Sequence, residues 1–151
     1  MHHEINLTPV QYRAAEALKA AARDGGILVL RGSSGSGKSA VLQWLHSACG
    51  GALLPARKLM GAAGDAIQHP EETFLRLIEE SMERHDLVLV DDLHLVAGAV
   101  QRHRYPSSHI LDASLTAILA EAGVRKKTFV FAVEDEAPFP IRRRASVWEI
   151  G

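Results

Sequence analysis

The chain has 151 residues, of which 47% are hydrophobic and 23% charged, and its formal net charge is −1. This composition is typical of one soluble globular domain and lacks the basic excess of proteins that coat nucleic acid. Cys49 is the single cysteine, which excludes an intramolecular disulfide and favours a reducing, cytoplasmic setting. The longest apolar runs have the length of strands, so we expect no transmembrane or signal segment and no membrane partner.

The first third of the chain predicts a helix, a strand and a second helix. Thr8 followed by Pro9 is typical of a helix start, and Asp24-Gly25-Gly26 predicts the end of that helix. Ile27 to Arg31 predicts a buried strand that ends in a glycine-rich turn. Ser39 to Cys49 then predicts a helix with one apolar face.

The rest of the chain continues the alternation of strands and helices. The further predicted elements are a weak strand at Ala52 to Leu54, a helix from Pro70, a strand at Leu87 to Val90, a helix capped by Ser107 or Ser108, a strand at Phe129 to Val133 and a strand at Ser146 to Ile150. This alternation predicts an α/β fold. We expect one domain over residues 1–151, a three-layer sandwich with a mostly parallel five-stranded sheet flanked by helices.

A glycine-rich motif lies between the first predicted strand and the second predicted helix. Its residues are Gly32, Ser33, Ser34, Gly35, Ser36, Gly37, Lys38 and Ser39. They match G-x-x-x-x-G-K-[ST], the P-loop, whose backbone N–H groups and helix N-terminus bind a phosphate chain. Lys38 would reach the β- and γ-phosphates, and the Ser39 hydroxyl would ligate Mg²⁺. The alternative, a glycine-rich turn with an incidental lysine, does not account for the flanking strand and helix.

Two acidic residues, Asp91 and Asp92, follow the apolar run Leu87 to Val90. Ligands of α/β proteins bind at the carboxyl edge of the parallel sheet, so Asp91 is predicted to hold Mg²⁺. Asp92 is predicted to orient or deprotonate an attacking water. The alternative for both residues is a solvated strand end. A doubled acid favours hydrolysis, since a small-molecule kinase takes its attacking hydroxyl from a bound substrate.

With these motifs the chain resembles the large nucleotide-binding subdomain of an AAA+ ATPase, nearest to the AAA proteins proper. Gly32 to Ser39 resembles the family's Walker A motif, G-P-P-G-T-G-K-T, and Leu87 to Asp92 resembles its Walker B motif. Lys58-Leu59-Met60-Gly61 stands where the family has a substrate-gripping pore loop. Phe129 to Glu134 is similar to the sensor 1 strand, and Arg142-Arg143-Arg144 lies where family members carry arginine fingers.

The resemblance implies that the chain binds ATP with Mg²⁺ and couples binding and hydrolysis to oligomer assembly and to the remodelling of a protein client. It also implies a ring of subunits, commonly a hexamer, in which Arg144 acts on the nucleotide of a neighbouring subunit. Arg142 and Arg143 are the second choices for this arginine finger. The alternative for all three is a solvated basic turn.

The sequence departs from the family pattern at four points. Asp92 replaces a glutamate and is one methylene shorter, which predicts slow hydrolysis. Glu134 stands where the family has an asparagine, and Leu59 replaces the aromatic residue of the pore loop. The helical lid that normally follows the fifth strand is absent from a chain that ends at Gly151, so we expect a piece of a longer protein; the alternative is a degenerate module that has lost its lid.

Three functions therefore stay open. The first is an ATP-hydrolysing remodelling motor, the second a nucleotide-binding assembly module with little hydrolysis, and the third a P-loop kinase whose arginines clamp substrate phosphates. Nucleic acid is not an expected partner. Arg102 to Tyr105 and Arg125 to Lys127 are two short basic patches in a net-acidic chain, which favours solvated loops.

Overall fold

The computed structural model describes residues 6–55, 70–91, 93, 107–135 and 137–150. Its helices are α1 (Pro9–Asp24), α2 (Lys38–Cys49), α3 (Pro70–Arg84), α4 (Ser107–Val124) and α5 (Phe139–Arg142). Its strands are β1 (Gly26–Arg31), β2 (Ala52–Pro55), β3 (Leu87–Asp91), β4 (Thr128–Val133) and β5 (Ala145–Glu149). Three segments that the sequence analysis interpreted, Lys58 to Gly61, Asp92 and Arg102 to Tyr105, lie outside the described residues.

The five strands form one sheet in the order β2-β3-β4-β1-β5. Every described pairing is parallel, which confirms the predicted α/β sheet. Arg31 at the end of β1 pairs with Val133 at the end of β4, and Val90 of β3 pairs with Phe131 of β4. The central strands therefore end at one common edge, and the residues that follow them lie beside one another there.

Alternate residues of each central strand pack against opposite layers of helices. On one face, Ile27 and Val29 of β1 join a buried cluster with Phe74 and Ile78 of α3 and with side chains of α4. On the other face, the strands pack on α1 and α2 in a second cluster of buried residues: Ala14, Ala15, Leu18, Leu28, Leu30, Val41, Leu42, Leu45, Leu89, Val130, Ala132 and Ile150. The two clusters make the three layers of the predicted sandwich.

Helix α1 begins and ends where the sequence predicts. The Thr8 hydroxyl caps its first turn by accepting a hydrogen bond from the Gln11 N–H, and Pro9 is its first residue. Gly25 follows the last residue with φ +79°, a left-handed conformation that glycine adopts at no steric cost. The start of α1 is important for the site because it packs beside the glycine-rich loop.

Helix α5 is a single turn at Phe139–Arg142 between β4 and β5, and the sequence does not predict it. The helix has only four residues and two nearby prolines, Pro138 and Pro140, so its sequence shows no helical periodicity of apolar residues. Pro138 precedes the helix and donates no backbone hydrogen bond, while Pro140 and Ile141 are buried. In the described part of the chain, no helix is long and apolar enough to cross a membrane.

Candidate functional site

The glycine-rich loop connects the end of β1 to the first turn of α2, as the P-loop motif predicts. Gly32 donates its N–H to Val133 O at 3.1 Å, which fixes the start of the loop against β4. Gly35 and Gly37 have φ of +82° and +96°, in the left-handed region that other residues rarely adopt. Gly37 is also the N-cap of α2 and supplies no side-chain cap. The first N–H groups of α2 thus suit an anion as their partner.

Lys38, the lysine of the P-loop motif, is buried, with only 7% of its surface exposed. Its Nζ donates to Gly32 O at 2.5 Å and to Ser33 O at 3.0 Å, so two of its three N–H groups hold carbonyls of the loop. A buried ammonium group is stable only when such partners satisfy it. The arrangement therefore fixes a positive charge inside the loop, where a phosphate chain would bind.

The two predicted metal ligands lie in direct contact. The Ser39 Oγ at the start of α2 donates to Asp91 Oδ2 at the end of β3 across 2.6 Å. Asp91 is itself buried, with 7% of its surface exposed. A hydroxyl and a carboxylate oxygen are hard ligands of the kind Mg²⁺ binds, so the two residues fit the predicted ion. Within the described residues, no cluster of three or more His, Cys, Asp or Glu side chains could hold a further metal.

The remaining loop residues differ in their surroundings. Ser33, Ser34 and Gly35 are exposed, while Gly32 is buried. A Cβ at Gly32 would overlap the Ser36 hydroxyl, which would have to move to make room for it. The Ser36 Oγ atom is buried inside the loop. Glu134 follows β4 at the same edge of the sheet and is exposed.

Gln11 of α1 also contacts the loop, and the sequence analysis did not identify it. Its Nε2 donates to Ser36 O at 3.0 Å. The spacing Thr8-x-x-Gln11 indicates a capping box and could have been recognised. The contact with the loop could not, because Gln11 and Ser36 are 25 residues apart and nothing in the sequence joins them.

Arg144, the predicted arginine finger, lies at the opposite edge of the sheet. Ala145 of β5 pairs with Ile27 of β1 in parallel register. Arg144, one residue earlier, therefore lies beside Gly26, the first residue of β1. Gly32 follows the sixth and last residue of β1, about 20 Å away along the strand at about 3.3 Å per residue. Arg144 therefore does not lie at the loop of its own chain.

A cavity of about 1020 Å³ lies at this opposite edge, and Arg144 lines it. Because β1 lies between β4 and β5, the residues that precede these three strands become neighbours. Five of the lining residues are cationic: Arg23, Arg125, Lys126, Lys127 and Arg144. We call this cavity, defined by those five residues, the basic groove.

Two carboxylates in the basic groove, Asp24 and Asp86, partly offset its charge. Lys127 Nζ lies 2.8 Å from Asp86 Oδ1, and its hydrogen bond and positive charge lower the pKa of Asp86. The positive charge of Lys127 and the negative charge of Asp86 thereby cancel each other. Of the other lining residues, four are cations and one, Asp24, is acidic, so the groove carries a net positive charge on a chain whose formal charge is −1.

Comparisons with known proteins yield only structural matches. No family model matches the chain, and no curated protein does. AMPPCP-bound DnaA from Aquifex aeolicus matches with a TM-score of 0.60 and 17% identity over 96% of this chain and 48% of that one. Domain III of the Thermotoga maritima replication initiation protein DnaA matches with a TM-score of 0.61 and 18% identity over 96% of this chain and 64% of that one.

A third solved structure, of the replication initiator DnaA bound to AMPPCP and single-stranded DNA, matches with a TM-score of 0.59 and 15% identity. The match covers 94% of this chain and 46% of that one. This chain thus spans between about half and two thirds of the proteins it matches. This chain has the fold of these DnaA structures, a five-stranded parallel α/β sheet flanked by helices, which confirms the predicted fold class.

Proposed function

We propose that this chain is the Mg-ATP-binding module of an AAA+ ATPase, which couples ATP binding and slow hydrolysis to oligomer assembly and to the remodelling of a protein client in the cytoplasm. The observation that carries the proposal is the contact between Ser39 and Asp91 beside the buried ammonium of Lys38. Two matched structures were solved with the ATP analogue AMPPCP, which supports a nucleotide as the ligand.

The loop and its neighbours supply the chemistry of phosphate binding. The N–H groups at the start of α2 and the Lys38 ammonium would bind the phosphate oxygens, and Ser39 and Asp91 would hold Mg²⁺. Mg²⁺ bound there would neutralise charge on the β- and γ-phosphates. Asp92 follows the metal ligand directly in the sequence, and we assign to it the orientation of the attacking water.

The test of this function is a calorimetric titration of the chain with ATP and ADP, with and without Mg²⁺, followed by steady-state phosphate release. Binding with turnover supports the ATPase. Tight binding without turnover, also in an assembled oligomer, would leave the assembly module as the function. A chain that binds neither nucleotide would contradict both.

Arg144 is proposed to act on the nucleotide of a neighbouring subunit, since it lies about 20 Å from the loop of its own chain along β1. Replacing Arg144 with Ala is expected to lower phosphate release by roughly 10³-fold or more and to leave ATP affinity unchanged, because an arginine finger stabilises the transition state. Arg76→Ala is the matched control, an exposed arginine of α3 outside the segment that holds the candidate fingers.

Mixing two inactive variants makes the test of Arg144 specific. Lys38→Ala retains the finger but lacks the nucleotide site, and Arg144→Ala retains the site but lacks the finger. A mixture of the two is expected to recover phosphate release, because some interfaces then combine an intact site with an intact finger. Failure of the mixture, in an oligomer shown to contain both variants, would contradict a finger acting between subunits.

A second candidate function, binding of single-stranded nucleic acid, is favoured by the basic groove. The sequence does not predict nucleic acid as a partner, because Arg102 to Tyr105 and Arg125 to Lys127 are two short basic patches in a net-acidic chain. The groove joins the second patch to Arg23 and Arg144. One matched DnaA structure was solved with single-stranded DNA, which further supports testing this partner.

Replacing Lys126 with Ala is expected to weaken the binding of a fluorescently labelled single-stranded oligonucleotide by a similar factor for every sequence. The slope of log affinity against log salt should fall by about 0.7 for each phosphate contact that is lost. Fluorescence anisotropy at several salt concentrations measures both quantities. Arg76→Ala removes an exposed cation of α3 outside the groove and is the control. Equal losses in the two variants would show nonspecific attraction and would contradict a site in the groove.

A further inference from the structure

Gln11 forms a direct bridge between the start of α1 and the phosphate loop. Its Oε1 accepts a hydrogen bond from Thr8 N at 3.0 Å, and its Nε2 donates to Ser36 O at 3.0 Å. The first bond completes the capping box of α1, in which the Thr8 hydroxyl also accepts from Gln11 N. One amide group thus serves both the helix cap and the loop.

The capping box determines which end of the amide faces the loop. An amide oxygen can only accept a hydrogen bond, and a backbone N–H such as that of Thr8 can only donate one. With the oxygen directed to Thr8, the NH₂ group is the end directed to Ser36. Helix α1 is a rigid base for this contact because Ala15 and Leu18 are fully buried against α2 and the sheet.

The contact with Ser36 fixes one peptide of the loop. The C=O of Ser36 and the N–H of Gly37 belong to the same planar trans peptide and point in opposite directions. Because Gln11 holds the carbonyl, the Gly37 N–H is directed away from α1. The side chain of Gln11 also lies close against Gly37, where a Cβ would overlap its amide nitrogen. Gly37 has φ +96° and is the N-cap of α2, so this peptide leads directly into the cap of the helix.

We propose that Gln11 is a positioning residue of the phosphate loop, which holds the Ser36–Gly37 peptide in the orientation that binds phosphate and thereby makes nucleotide affinity depend on the Gln11 amide. This inference rests on the proposed function, namely that the loop binds a nucleotide. Its physical basis is preorganisation, since a loop already held in its binding conformation loses less entropy when the ligand binds.

Three variants separate positioning of the loop from capping of the helix. Gln11→Glu keeps an acceptor for Thr8 N and completes the usual capping box, but it cannot donate to Ser36 O when ionised. Gln11→Met has a similar length and no charge, and it loses both bonds. Thr8→Ala loses the hydroxyl cap and keeps the backbone N–H that orients the Gln11 amide. Calorimetry measures the affinity of each variant for Mg-ATP, and thermal unfolding measures its stability.

The loss of the hydrogen bond to Ser36 O predicts that Gln11→Met binds Mg-ATP roughly 3- to 10-fold more weakly than the wild type. Gln11→Glu is expected to lose at least as much affinity for Mg-ATP. Its negative charge also repels phosphate, so any additional loss of affinity is expected to shrink at high salt. Thr8→Ala is expected to unfold at a lower temperature and to bind Mg-ATP with wild-type affinity. Wild-type affinity in Gln11→Met, or an equal loss in Thr8→Ala, would overturn the proposal.

A second measurement needs no nucleotide and separates this proposal from the proposed function. Hydrogen exchange of residues 33–38 in the nucleotide-free protein is expected to be faster in Gln11→Met than in the wild type, and unchanged in Thr8→Ala. If the wild type binds no nucleotide while this difference appears, the proposed function fails and the positioning of the loop stands. Equal exchange in Gln11→Met and the wild type would overturn the positioning itself.

Discussion

Replacing Lys38 with Ala is expected to abolish measurable ATP binding. The ammonium is buried and holds the carbonyls of Gly32 and Ser33, so its loss removes both a cation for the phosphates and the link that closes the loop. Removing one partner of a buried, hydrogen-bonded charge pair costs about 2–5 kcal/mol or more, which weakens binding by roughly 30-fold at least. Isothermal calorimetry with Mg-ATP measures the change.

Arg84→Ala is the matched control for Lys38→Ala. It removes one positive charge from the exposed last turn of α3 and is expected to keep wild-type affinity. Circular dichroism verifies that both variants are folded. Undiminished ATP binding in Lys38→Ala would show that the glycine-rich loop is not the nucleotide site, whereas an equal loss in Arg84→Ala would indicate nonspecific electrostatic attraction.

The phosphate loop could be predicted from the sequence because its determinants are local. A buried strand, a glycine-rich turn and an amphipathic helix follow one another directly, and each is visible in neighbouring residues. The contact between Ser39 and Asp91 spans 52 residues, yet it too could be anticipated. Parallel strands end at one edge of the sheet, so a residue that ends a strand lies near a loop that follows another.

The basic groove could not be predicted in this way because it depends on the order of the strands. The sequence predicts that β1, β4 and β5 exist, but it does not show that β1 lies between the other two. Only that order brings Arg23, Arg125 and Arg144 to one cavity, although they precede three different strands. The contact of Gln11 with Ser36 could not be predicted from the sequence for a related reason, since it depends on how α1 packs beside the loop.

Replacing Asp91 with Asn is expected to remove most of the dependence of ATP affinity on Mg²⁺. Asparagine is nearly isosteric and can still accept the hydrogen bond from the Ser39 hydroxyl, so the contact between β3 and α2 is retained. The variant lacks the negative charge that Mg²⁺ favours in its ligands. Loss of a hydrogen-bonding partner of a metal ligand alone typically weakens metal binding by about 10- to 100-fold, so loss of the carboxylate ligand is expected to weaken it at least as much. Titration of Mg²⁺ at a fixed ATP concentration, followed by calorimetry, measures the shift.

Unfolding experiments separate this effect from simple damage to the fold. If Asp91 acts as a metal ligand, the nucleotide-free variant unfolds near the wild-type temperature, and the stabilisation that Mg-ATP adds to the wild type is lost. If Asp91 only supports packing at the end of β3, the nucleotide-free variant is itself destabilised and Mg-ATP still adds its full increment. Asp112→Asn neutralises an exposed carboxylate on α4 and is expected to change neither quantity. An unchanged Mg²⁺ requirement in Asp91→Asn would exclude Asp91 as a ligand, because the loss of a charged oxygen ligand weakens Mg²⁺ binding.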